Sequence, residues 1–337
     1  MKLISSLIIC VFGVAFVGQS KVFTVSNNAN SPGQFNDLQP ACDAASENDT
    51  IYVHASSIGY SATISKPLVI IGEGSMPNKQ FSLFTKCSLA LSNLSSGSKI
   101  IGLQGIFNIG GGGYNTSNIL FDKCRGSIKN NAPNMVPKNI IIKHFVGDIQ
   151  IPLQNAVINN SIITTLFSGV NSSSNLIYNS LILDNQFYIE GFSVKNNIFY
   201  AQDSINQNKE FRNCKIENNL FFTSKTPVIL NGQNNVISVD PKFISGETGD
   251  LLIAYDYNTK NPKANFKLAD DSPALKMGTD GKEIGIYGGD DPWIDGGDGV
   301  FRYHSMPTQI PHITEMEISN TSVPQNSDMK IRIKAKN

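Results

Sequence analysis

The stretches Val194–Gln202 (VKNNIFYAQ) and Ile216–Ser224 (IENNLFFTS) spell nearly the same phrase 22 residues apart: apolar, charged, Asn-Asn, aliphatic, Phe, aromatic. Relatives of the phrase begin at Val157 (VINNSIITT), Leu176 (LIYNSLILD) and Gly232 (GQNNVISVD). The Asn ahead of each apolar run falls at Asn160, Asn179, Asn197, Asn219 and Asn235, in steps of 19, 18, 22 and 16 residues, and Asn118 and Asn139 precede weaker versions. A repeat of about 20 residues constrains the fold more than any other feature here. Each unit is too small for its own core and must bury its apolar residues against the units before and after it.

The residue types decide what kind of unit this is. A leucine-rich repeat has this length but needs an L-x-x-L-x-L frame, which is missing, and helical repeats are longer and rich in helix formers. Asn, Ser, Ile, Val and Phe are turn and strand residues. About 20 of them make one coil of three short strands, stacked on the next at ~4.8 Å. The recurring Asn tolerates the left-handed backbone of a sharp bend. Its amide can also bond to the Asn one coil above and below, as amides do in in-register parallel stacks. The expected fold class is therefore all-β, a single-stranded parallel β-helix, with Asn160, Asn179, Asn197, Asn219 and Asn235 as a structural ladder at one corner.

Two further passages carry a family resemblance. NDTIYVHASSIGYSATISKPLVIIGEG (48–74) has a "DTIYV" strand, a Gly-Tyr turn and "KPL" leading into an apolar strand. VDPKFISGETGDLL and NFKLADDSPALKMGTDGKEIGIYGG (within 239–289) read "DPxF", "GD", "FxL", "SPA" and a final "IGxxGG". Together with the rungs, these resemble secreted bacterial right-handed parallel β-helix proteins of the pectin-lyase-like superfamily, over residues 22–290. The resemblance implies a right-handed coil. It also implies a capping helix over QFNDLQPACDAAS, where Phe35, Leu38, Ala41 and Ala44 have helical spacing. It says little about activity, because one fold hosts many functions.

The organisation expected is a signal peptide at 1–20, a β-helix domain with its cap and closing loops at 21–289, a Gly/Pro/Asp-rich linker at 290–312 and a C-terminal β-hairpin at 313–337. Lys2, the apolar run Leu3–Val17 and Gly18-Gln19-Ser20 read as an export signal, so the chain is expected to be secreted or on the cell surface. No later segment is apolar enough to span a membrane. With 27 basic and 27 acidic residues the net charge is zero, which argues against nucleic acid as a partner. Cys42, Cys87, Cys124 and Cys214 are too widely spaced along the stack to pair within the rungs. ITEMEIS and MKIRIKAK alternate apolar with charged, acidic in one and basic in the other, as an antiparallel pair requires.

Candidate chemistry is sparse. The β-helix enzymes that cut polysaccharides need charge gathered on neighbouring coils, whereas residues 151–200 hold only Asp184, Glu190 and Lys195. Asp184 and Asp203 are 19 residues apart and could stack one coil apart, a weak catalytic candidate. Tyr255, Tyr257 and Trp293 are the candidates for stacking on a sugar. Asp291, Asp295 and Asp298, set among glycines, supply the oxygen ligands that Ca2+ takes, without EF-hand spacing; no other cofactor is indicated. Three readings follow: a non-catalytic rod presenting a rigid face to an extracellular polysaccharide or a surface protein, a polysaccharide lyase or glycoside hydrolase, and a spacer with no ligand.

Overall fold

The computed structural model describes residues 20–29, 31–73, 85–111, 116–130, 135–169, 174–183, 187–201, 210–223, 232–245, 265–293, 312–318 and 331–336. The export-signal reading falls almost wholly outside them.

The chain is a parallel β-solenoid with two long sheets. Sheet A takes one strand per coil: Val22–Val25, Thr50–Val53, Val69–Gly72, Lys99–Ile101, Leu120–Asp122, Ile141–Lys143, Val157–Asn159, Asn175–Tyr178, Phe192–Lys195 and Lys215–Glu217. Sheet B runs from Tyr60–Ile64 through Lys86–Ser92, Gln104–Gly111, Arg125–Asn130, Val146–Gln150, Ile162–Ser168, Leu181–Ile182, Ile198–Ala201 and Leu220–Thr223 to Val236–Ile237. Phe187–Glu190 and Phe211–Arg212 extend it sideways. Among the described residues no third ladder runs along the stack. The third side is reduced to single bridges, Ser117 to Lys138 to Gln154, because Pro137 and the paired polar residues there leave no run long enough for a ladder.

The core follows from strand alternation, in which every second side chain points inward. The middle residue of successive A strands is Ile51, Ile70, Ile100, Phe121, Ile142, Ile158, Ile177, Val194 and Ile216, each in register with the next. All are buried. Across from them Phe199 and Phe221 stack with centroids 4.6 Å apart and planes 14° apart. In sheet B, Gly105, Gly126 and Gly147 lie in one file with φ of 155°, 131° and 133°. A Cβ on any of them would strike the carbonyl of the preceding coil, so only glycine fits.

The corner leading from sheet A to sheet B has one position in left-handed conformation on every coil from Gly102 onward: Gly102, Lys123, His144, Asn160, Asn179, Asn196, Asn218 and Asn234. The residue after it points inward. There a file of hydrogen bonds runs up the stack, each backbone N–H donating to the side-chain oxygen of the coil above. Phe145 donates to Ser161, Ser161 to Ser180, Ser180 to Asn197, Asn197 to Asn219 and Asn219 to Asn235, at 2.9–3.2 Å. Asn197, Asn219 and Asn235 thus share one position, while Asn160 and Asn179 sit one residue earlier, at the bend itself. Asn118 and Asn139 lie on a different corner, where the chain enters sheet A. In the first two units serine does the inward work.

The helix Leu38–Ala44 starts at Asp37, whose side chain accepts from the Leu38 N–H, and it buries Leu38, Ala41 and Cys42. Ala44 is exposed and Ala45 is buried in its place. Strands His312–Ile318 and Ile331–Lys336 pair antiparallel, with Met316 opposite Ile333 and Glu317 opposite Arg332. Cys42, Cys87, Cys124 and Cys214 are all unbridged.

Candidate functional site

Two polar groupings along sheet B bear on a site, and one of them is explained by packing. Sheet B opens each strand with an outward residue. Along the stack these are Lys86, Gln104 and Arg125, then Val146, Ile162, Leu181, Ile198, Leu220 and Val236. The change from polar to aliphatic marks the footprint of residues 265–293, which lie along this corner and bury Phe266, Leu268, Ile284, Ile286 and Trp293 against it. Fully burying one such side chain stabilises by roughly 1.5–3 kcal/mol. This is why the repeat writes two aliphatic or aromatic residues in a row: one faces the core and the other faces the closing segment.

The left-handed corner residues hold that segment in place. Asn218 donates to the Met277 carbonyl and Asn196 exchanges bonds with Thr279. Asn160 donates to the carbonyls of Ile286 and Gly288. Gly288 and Gly289 pass against the Asn179 side chain, where a Cβ would be crowded. At the end, His144 bonds the Asp291 carbonyl at 2.9 Å and the Asp122 carboxylate at 3.1 Å, and Lys143 reaches Asp291 at 3.0 Å. Burial opposes the Lys143 charge, but its hydrogen bond to the Asp291 carboxylate and the charge of Asp122 outweigh it and raise its pKa. Burial likewise opposes the Asp291 carboxylate, and Lys143 and His144 overcome it, lowering its pKa.

Within this arrangement Trp293 and Asp291 each have a packing or ion-pair role. Trp293 is only 5% exposed, packs edge-on to His144 and donates its indole N–H to Asn160. It has no free face for a sugar ring. The Asp291 carboxylate is directed at Lys143 and His144 rather than at an open cation position, and among the described residues no group of three or more His, Cys, Asp or Glu is arranged to hold a metal. Asp184, Asp203, Tyr255, Tyr257, Asp295 and Asp298, and with them the Asp184/Asp203 pair and the remainder of the Ca2+ set, lie outside the described residues.

The second grouping is on the outer face of sheet B beyond the closing segment. Asn108, Lys129, Gln150, Phe167 and Tyr188 occupy one outward file on five consecutive coils, in direct register. Phe167 is 41% exposed. In the neighbouring file Ile106 is 45% exposed, and Asp148 accepts from Ser127 at 3.0 Å and from Thr164 at 2.7 Å. The pairing shifts by one residue after Gly147, and Thr164 is the extra residue of that irregularity. A bulge re-aims the side chains around it, and here it brings a hydroxyl onto the carboxylate. At the far end the Tyr188 hydroxyl donates to Glu190 at 2.9 Å, and the Arg212 guanidinium lies 5.6 Å from the Tyr188 ring. Burial and the Glu190 carboxylate raise the phenol pKa, keeping it a protonated donor.

Asp148 and Phe167 were hidden from the sequence by position rather than type. Asp148 lies three residues ahead of the charge-poor stretch that begins at Ile151, and Phe167 stands among buried aliphatics until the bulge at Thr164 is counted. Neither a protein-family model nor a curated protein matches the chain. Among the described residues no helix is long and apolar enough to cross a membrane.

Proposed function

We propose that this is a secreted or cell-surface protein whose outer sheet-B face binds an extracellular glycan without cleaving it. The observation that carries the reading is the file Asn108–Lys129–Gln150–Phe167–Tyr188: amide, cation and aromatic groups repeated once per coil on a rigid sheet. Sugars are recognised by this mixture, with aromatic faces against C–H groups and planar amides and charged groups on the hydroxyls. Spacing at ~4.8 Å per coil offers a linear polymer one such group at each step along the stack. Export rests on the first 20 residues. A right-handed coil fits the strong handedness rule for parallel strand crossovers, in keeping with the pectin-lyase-like resemblance. The Leu38–Ala44 helix, lying against the first strands of both sheets, then serves as a cap against edge-to-edge association.

One observation favours an enzyme instead: Asp148 is oriented by two hydroxyls, as a catalytic carboxylate is. Hydrolysis by the usual glycosidase route would also need a second carboxyl group about 5–9.5 Å away. The deciding experiment incubates the mature protein with neutral and acidic polysaccharides, with and without Ca2+, following retention, reducing ends and unsaturated ends. Retention without new ends supports the proposal. New ends that vanish in Asp148→Asn, or in Asp184→Asn or Asp203→Asn, establish the enzyme.

A further inference from the structure

The outer face of sheet A carries a short aliphatic stripe that is partly exposed among the described residues. Leu120, Ile141, Val157 and Leu176 are direct neighbours on four consecutive strands, and Ile141 is 44% exposed. The stripe has ends. Lys99 occupies the same file before Leu120, and Ser193 and Lys215 occupy it after Leu176. Three inter-strand steps make it about 14 Å long. The sheet-B counterpart of such a stripe, from Val146 to Val236, is buried by the closing segment, so this molecule covers outward aliphatic files with its own chain.

We propose that the C-terminal two-stranded unit, His312–Ile318 with Ile331–Lys336, docks on this stripe. The register pairs Met316 with Ile333 and Ile318 with Ile331, and alternately Glu315 with Lys334 and Glu317 with Arg332. Period-2 alternation therefore places the aliphatic residues on one face of the unit and the charged pairs on the other. From Ile331 to Ala335 that face is four residue steps, again about 14 Å. An isolated two-stranded sheet is marginal in water and gains independent stability only by packing on something. Sheet-on-sheet packing at about 10 Å meets that need.

The path of the chain selects this partner. The closing segment is described as far as Trp293, which is pinned to Asn160, with Asp291 pinned to Lys143. Lys143 belongs to the Ile141 strand, and Asn160 directly follows the Val157–Asn159 strand; these are the two central strands of the stripe. The segment 294–311 then supplies 18 residues, a reach of up to about 60 Å. Tethering at the edge of the stripe gives the unit an effective concentration in the millimolar range, which a second copy in dilute solution does not match.

The test replaces Ile141, in the full-length mature chain, with the photoreactive residue p-benzoylphenylalanine. Isotopically labelled and unlabelled chains are mixed and illuminated, and adducts are mapped by mass spectrometry. The expected result is adducts within one chain to residues 312–336. A probe at Lys215, in the same file past the end of the stripe, should give at least about tenfold less. Ile333→Asp should reduce the Ile141 adduct by a similar factor while leaving the solenoid's circular dichroism intact. Adducts joining labelled to unlabelled chains, adducts confined to other segments, no adduct at all, or an adduct indifferent to Ile333→Asp would each overturn the proposal.

Discussion

Replacing Asn219 with alanine tests the hydrogen-bonded file at its centre. Asn219 is fully buried. Its Oδ1 accepts from the backbone N–H of Asn197 at 2.9 Å, and its Nδ2 donates to the carbonyls of Val194 and Glu217, each at 2.9 Å. Alanine leaves the Asn197 N–H buried and unpaired, a cost of about 1–3 kcal/mol. The lost donor adds roughly 0.5–1.5 kcal/mol for its better bond, so the expected total is about 3 kcal/mol. Asn219→Ser keeps an acceptor, as Ser161 and Ser180 do in the same position, and should cost about 1 kcal/mol. Asn219→Asp keeps the acceptor but turns a buried charge toward two carbonyls and should cost at least as much as alanine. Urea unfolding followed by the fluorescence of Trp293, the single tryptophan, ranks the three by their midpoints. If alanine and serine fall within about 0.5 kcal/mol of each other, the Asn197 N–H is not held as described and the reasoning fails.

Three other perturbations address other parts of the structure. Gly126→Ala drives a Cβ into the Gly105 carbonyl at a positive φ, and should cost at least about 2 kcal/mol, seen as a lowered thermal midpoint. Ile286→Ala opens a cavity under the closing segment and should cost about 2–4 kcal/mol; faster proteolysis within 265–293 than at the first coils would report it. Asp291→Asn removes a carboxylate whose pKa is lowered in the folded state. Its contribution is complete above the unfolded value and disappears as pH falls through the folded one. The variant should therefore lose part of the stability difference between neutral pH and pH below about 4, on the scale of ~1 kcal/mol or less because Asp291 is 48% exposed.

The repeat made the solenoid legible because burial at one-coil spacing leaves few architectures. What it left open was register. Asn tolerates both the bend and the inward position beside it, so in a phrase such as Asn196-Asn197 the two roles carry the same letter. Only Asn160-Ser161 and Asn179-Ser180 separate them, and there it is serine that points inward. The second aliphatic residue of each unit was legible as apolar, but its partner lies up to about 130 residues away in the closing segment, beyond any local pattern. The outer face was least legible. Which side chains reach it depends on the single-residue shift at Gly147, and one residue of slip exchanges the two faces of a strand.

The proposal of a glycan-binding face is tested most directly by titration of a polysaccharide retained in the panel, comparing Phe167→Ala and Tyr188→Ala with Ile141→Ala on the opposite sheet. An aromatic contact worth about 0.5–1.5 kcal/mol predicts that each sheet-B variant weakens binding by about fivefold, with affinity unchanged in Ile141→Ala. Equal affinity in all four proteins, or a loss confined to Ile141→Ala, would contradict the account.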